Sequence, residues 1–175
     1  MKKSIVVLAI ALTLSACSTT KTAGDITNEG VKLTQDFGKV EITYSTFGDW
    51  QSIKATASSN VPIEHDAGLE QAMNVATMRA KRNIVEFINT DLKSKKTTDT
   101  LTDSLVKHDT DNKEYANKIA TKITESITVE ANGIIRGTYI VDRKVSGDGK
   151  NVTVVVMVDK KSMAVASQLR TAFSK

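Results

Sequence analysis

DAGLEQAMNVATMRAKRNIVEFI, residues 66–88, is the longest regular signal in the chain. Leu69, Ala72, Met73, Ala76, Ala80, Ile84, Phe87 and Ile88 recur at spacings of three and four, which puts them on one face of a helix. Pro62 breaks the pattern before it, Asp66 is placed to cap it, and Glu70 falls in its first turn. The stripe opens on small residues and closes on large ones. Alanines let a helix approach a sheet closely, so this helix is expected to lie across one. Val75, Met78 and Val85 widen the apolar face and suggest a second contact, while Arg79, Lys81, Arg82 and Glu86 fill the remaining side.

Strand signals flank the helix. Val40, Ile42 and Tyr44 alternate with Glu41, Thr43 and Ser45, Gly48-Asp49 supplies a turn, and Ile53, Ala55 and Ala57 share one face of the return. Trp50, beside that turn, reads as a core residue. Downstream, Ile135, Gly137, Tyr139, Val141 and Val145 are expected on one face of a strand, followed by the turn Ser146-Gly147-Asp148-Gly149. Residues 152–158, VTVVVMV, are apolar on both faces. Such a strand is central or covered, or else an edge that pairs with another chain. Ala116, Ile119, Ala120, Ile123 and Ile127 mark a second helix ending near Gly133, and residues 93–112 read as a loop or a weakly amphipathic continuation. Val165, Ala166, Leu169, Ala172 and Phe173 form one side of a short closing helix. The order ββ-α-α-ββ-α predicts an α+β domain, an antiparallel sheet of about four strands with a long helix packed across one face.

The N-terminus supplies location. Lys2 and Lys3 precede an apolar run from Ile5 to Leu14, and Leu14-Ser15-Ala16 leads into Cys17, the one cysteine of the chain. The layout is that of a secretory signal. The apolar run is about half the ~20 residues that span a bilayer. The residues before Cys17 resemble the lipobox of bacterial lipoproteins. That resemblance implies cleavage between Ala16 and Cys17, acylation of the Cys17 thiol with palmitate-class chains, and anchoring to a membrane outside the cytoplasm. The same resemblance, with Ser18 rather than Asp at the next position, implies the outer membrane, on its periplasmic face. The expected organisation is a lipoprotein signal peptide over 1–16, the lipidated Cys17 with a flexible tether over 17–38, and one α+β domain over 39–175. Val31 and Leu33 are the tether residues able to dock on that domain.

Cleavage removes 16 of 175 residues and leaves 159, enough for a single core. It also removes Lys2 and Lys3, so the formal charge falls from +4 to +2. A nearly neutral chain gives no argument for a nucleic-acid partner. With its one cysteine assigned to lipid, the domain depends on packing rather than a disulfide.

No catalytic, cofactor-binding or metal-ligating constellation is legible. His65 and His108 are the only histidines. Glu64-His65-Asp66 reads as helix start and solvated surface, and Asp109, Asp111 and Glu114 lack the glycine and distal glutamate of a calcium loop. The basic run Arg79-Lys81-Arg82, with Lys93, Lys95 and Lys96, reads as a solvated face. We therefore expect a protein built for contacts: a homo-oligomer held at the membrane, with Val75, Met78, Val85, Val154, Val156 and Val158 as candidate subunit contacts. The alternative is a binding module for a small ligand or peptide, with Tyr139 and Trp50 lining one deep pocket.

Residues 72–84, AMNVATMRAKRNI, resemble the Ala-rich helix of the LPP-twenty lipoprotein family of FlgP-like outer-membrane proteins. The resemblance runs on through Gly133-Ile134-Ile135-Arg136-Gly137 to Val154-Val155-Val156-Met157-Val158-Asp159, about residues 40–170. It implies a dodecin-like sheet wrapped on a long helix, and self-assembly in the envelope, in some members as rings at the flagellar motor. It also implies other envelope or flagellar proteins as partners, and no active site. The charged 93–112 segment is the least family-like part.

Overall fold

Ala72, Ala76 and Ala80 are fully buried along the α-helix α1 (Asp66–Glu86), and their small side chains bring it against the middle of a five-stranded antiparallel sheet. The computed structural model describes residues 30–173 except 64, 109 and 110. Its strands are β1 (Lys32–Asp36), β2 (Val40–Ser45), β3 (Trp50–Asn60), β4 (Tyr139–Val145) and β5 (Asn151–Asp159), in the order β1-β2-β3-β5-β4. After α1 come a π-helical turn (Phe87–Asp91) and the helices α2 (Lys95–His108), α3 (Lys113–Val129), α4 (Ala131–Arg136) and, following β5, α5 (Lys160–Phe173). The class is α+β with a long helix across a sheet, as the periodicity predicts.

The inner face is read from the register. Ile53, Ala55 and Ala57 of β3 stand opposite Val158, Val156 and Val154 of β5, and α1 covers both strands. Leu92, Leu101, Leu105, Ile123 and Ile127 complete one continuous core with Tyr44 and Trp50. The other face carries Glu41, Thr43, Lys54, Thr56, Ser58 and Thr153, none of them buried. Cross-strand pairs tie it together, Lys54 Nζ to Glu41 Oε1 at 3.2 Å and Ser58 Oγ to Thr153 Oγ1 at 2.8 Å. Such exposed pairs add little individually, and their polarity keeps this face wet.

Several expectations need correction. There are five strands, because Lys32–Asp36, placed in the tether, pairs with β2 and buries Leu33. Of the two readings of segment 93–112 the helical one holds, as a separate helix whose Leu101 and Leu105 are fully buried. Ile135 and Gly137 belong to α4 and its end rather than to a strand. Between Ile140 and Asp142 a bulge shifts the register, so Tyr139 lies opposite Met157 on the outer side while Val145 lies opposite Val152 on the inner. One extra residue reverses the side-chain parity, which is why Tyr139 and Val145 do not share a face. The cap of α1 is His65, which makes no side-chain capping bond; Asp66 is the first helical residue, its charge against the positive end of the helix dipole.

Polar residues of α1 also finish the sheet. β2 pairs with β3 only as far as Ala55, so the carbonyls of Thr56 and Ser58 face outward from an open edge. Asn83 Nδ2 donates to Thr56 O at 3.0 Å and Arg79 Nη1 to Ser58 O at 2.9 Å. Capping these carbonyls blunts strand addition there. At the start of α1, a Cβ on Gly68 would lie 2.1 Å from the Ile63 carbonyl oxygen, so that position tolerates no side chain.

Because Ala80 sits at zero exposure beneath the sheet, enlarging it forces the helix away from β3. Ala80→Leu is expected to destabilise the protein by about 1–3 kcal/mol, read as a lower urea midpoint at unchanged m value. Met78→Leu, on the exposed side of the same helix, should stay within about 0.5 kcal/mol.

Candidate functional site: an open sheet edge beside an uncovered helix

The lipidation and cleavage residues, Ala16 and Cys17, lie outside the described residues, as do Glu64 and Asp109 of the weighed metal sets. Among the described residues no group of three His, Cys, Asp or Glu is placed to hold a metal ion. His65 and His108 are both exposed, one before α1 and the other at the end of α2.

The expected subunit contacts divide. Val154, Val156 and Val158 cannot touch a neighbour: β5 is paired on both sides and α1 seals the face on which these side chains lie. The sheet has β1 and β4 as its edges instead. Val75 and Val85 are half-buried, and Met78 stands exposed on α1. Trp50 is a core residue, as read, and does not share a pocket with Tyr139. The two line separate clefts that meet at Asp159 and Lys161.

The uncovered apolar surface lies at the other end of the chain. Ile135, Tyr139, Val141 and Val145 are all exposed, and so are Val165, Leu169 and Phe173 of α5. None of the residues of α5 is buried. Its first turn is fastened by several side chains. Asp159 caps it, accepting from Ser162 N at 2.7 Å, and Ser162 Oγ accepts in return from Asp159 N at 3.0 Å. This reciprocal pair satisfies two donors that a helix start leaves orphaned. Met163 packs into the space left by Gly133 and Gly137, where an added Cβ would fall within 3.0 Å of it. Lys160 Nζ reaches Glu130 Oε1 at 2.6 Å and sits 4.1 Å from the centroid of the Trp50 ring. The indole is thus shielded by a cation, an attraction worth about 0.5–2 kcal/mol depending on exposure. Among the described residues, buried Trp50 Nε1 finds no hydrogen-bond partner.

Beyond the first turn, Val165, Ala166 and Leu169 form one wall of a groove of about 460 Å³, with Arg136, Gly137 and Tyr139 opposite. Tyr139 Oη donates to Asp159 Oδ2 at 3.0 Å at its base. The Ser162 N–H holds the Asp159 carboxyl below the usual carboxylate range, with help from the Tyr139 hydroxyl and against the effect of burial. Burial, reinforced by the Asp159 hydrogen bond and charge, pushes the Tyr139 phenol up. Sequence reasoning found the stripe of α5 but not its exposure. The signal available was local: glycines at 133 and 137 leave room for one Met side chain.

No protein-family model, no curated protein and no solved structure matches the chain. The resemblance to the LPP-twenty family therefore rests on the residues quoted for it.

A carboxylate whose folded-state pKa is depressed stabilises the fold above its unfolded value of about 3.9, and that contribution is lost as pH falls through the folded value. Acidification below about pH 4 should therefore loosen the start of α5 before the core opens. Asp159→Ala should do the same at neutral pH, at a cost of about 0.5–2 kcal/mol. Proteolysis after Lys160, Lys161 or Arg170, followed against pH, checks both. Cleavage that stays pH-independent and unchanged in the variant would contradict the capping role.

Proposed function

We propose that the chain is an envelope lipoprotein, anchored through acylated Cys17 in the outer membrane with its domain on the periplasmic side, and that the domain serves assembly by self-association. The anchor rests on the run from Lys2 to Cys17 and on Ser18. Stable anchoring needs two or more acyl chains, since each buried methylene contributes about 0.8 kcal/mol and one chain holds only marginally. The resemblance of residues 72–84 and 133–159 to the LPP-twenty family supports the outer membrane and a structural role, with envelope or flagellar proteins as further partners.

The observation that carries the assembly half is the edge of β4, whose outer side has no strand paired to it among the described residues. Open main-chain donors and acceptors template another strand. The bulge at Val141 and the charges of Asp142, Arg143 and Lys144 restrict which strand fits. Antiparallel pairing of two copies about Arg143 sets Asp142 of each against Lys144 of the other, at the cost of two facing arginines. Lys144 Nζ already lies 3.4 Å from Asp142 Oδ2 within one chain, so the pairing exchanges partners rather than creating charges.

Two measurements test the proposal. The intact mass of the protein extracted from native membranes is expected to show cleavage before Cys17 and added acyl chains; a free thiol, or residues 1–16 still attached, overturns the anchor. Sedimentation of the Cys17→Ser chain lacking residues 1–16 should show concentration-dependent association. Asp142→Lys and Lys144→Asp should each weaken it by about 3- to 10-fold, and the double variant should restore it, given about 0.2–1 kcal/mol for each cross-strand charge pair. A monomer at every concentration removes the assembly half.

A further inference from the structure

The helix α5 is an amphipathic helix that the fold leaves unfilled. It runs 14 residues, about 21 Å at 1.5 Å per residue. Val165, Leu169 and Phe173 repeat at i, i+4 and i+8 down one side, exposed to 54%, 54% and 86%. Apolar area of that kind normally faces a core, yet of the side chains on α5 it is Met163, with Lys160 at the cap, that packs toward α4, and the stripe stays exposed. What covers the stripe is indicated by charge. Residues 160–173 contain Lys160, Lys161 and Arg170 and no acidic residue. At about 100° per residue, Lys161 and Arg170 fall on the two borders of the stripe, and Arg136 stands across the groove. Among the described residues neither Lys161 nor Arg170 makes an ion pair, so both charges are available to a partner.

We infer that α5 lies on an anionic phospholipid surface, with Val165, Leu169 and Phe173 in the acyl boundary and Lys161, Arg170 and Arg136 at the headgroups. A helix with an apolar stripe and a basic border settles about 5–10 Å into the interface, and cations on its edges extend their aliphatic stems along the apolar layer while keeping the charge at phosphate level. A second copy is the weaker occupant. Two such helices bring their cations together, and the one carboxylate beside them, Asp159, is already taken by Ser162 and Tyr139. A bilayer with anionic lipid offers both the apolar and the charged partner.

The position of α5 within the molecule supports the same occupant. Lys32, at the start of β1, lines one cleft together with Lys160 and Lys161 at the start of α5. The chain therefore enters the domain beside the helix. Fourteen residues lie between Cys17 and Lys32, an upper reach of about 50 Å. An anchor at Cys17 and a contact through α5 can thus engage one bilayer. This last point rests on the lipoprotein reading, whereas the affinity of α5 for lipid does not.

The test uses the Cys17→Ser chain lacking residues 1–16, which keeps every core residue and carries no acyl chain. It is sedimented with vesicles of phosphatidylethanolamine containing phosphatidylglycerol, and with phosphatidylcholine vesicles. Binding to the anionic vesicles is expected, falling with added salt and much weaker on phosphatidylcholine. Lys161→Gln with Arg170→Gln should reduce it by about 25-fold, at about 5-fold per cation. Leu169→Asn with Phe173→Ser should abolish it. All four positions are exposed, so thermal unfolding of the variants should match the parent. Three results overturn the inference: no binding, equal binding to both vesicle types, or loss of self-association rather than of vesicle binding in the Leu169/Phe173 variant, which assigns the stripe to a second copy. Vesicle binding by α5 together with an unmodified Cys17 in the native protein would sink the anchor and leave this inference standing.

Discussion

The close approach of α1 to β3 and β5, made by Ala72, Ala76 and Ala80, is the constraint on which the rest of this structure depends. With α1 this near, the inner valines of β5 are sealed, and the larger residues that end the stripe, Ile84, Phe87 and Ile88, meet the rim of the sheet. Phe87 rests against Phe37 with ring centroids 5.2 Å apart. The π-helical turn then carries the chain on to Leu92, and Thr97 Oγ1 donates to the Asp91 carbonyl at 2.7 Å as α2 begins. From there α2 and α3 fill the space over Tyr44 and Trp50. The core is closed before α5 is reached.

That sequence of dependencies explains what was legible. Helical periodicity identified α1 and α3 because each meets one apolar surface continuously, and alternation identified β2 and β3 because each has one wet and one dry face. The failures share a different cause. β1 carries a single buried residue, Leu33, among polar neighbours, so composition assigned it to a tether. The bulge at Val141 changes parity by one residue, and parity is the whole content of an alternation argument. VTVVVMV was read as either central or an edge; its inner side is sealed by α1, and Val155 and Met157 on the other side stay half-buried between neighbouring strands. Periodicity tells that a residue seeks cover, not what supplies the cover.

The same distinction governs the functional surface. Each amphipathic helix announces an apolar side, but α1, α2 and α3 spend theirs within the chain and α5 does not. The first turn of α5 is held by the Asp159–Ser162 cap, Met163 against two glycines, and Lys160 between Glu130 and Trp50. The base is firm, and the later turns keep an apolar side exposed. Such a design suits a surface that must meet something outside the domain, since local opening costs least where few apolar contacts would be lost.

Amide hydrogen exchange of the lipid-free protein tests this most directly. The account predicts that Val154–Val158 of β5 and the buried alanines of α1 exchange only through global unfolding, while amides from Ala166 to Phe173 exchange orders of magnitude faster. Equal protection of α5 and β5 in a monomeric sample would mean that the stripe is covered within the chain, contrary to the account.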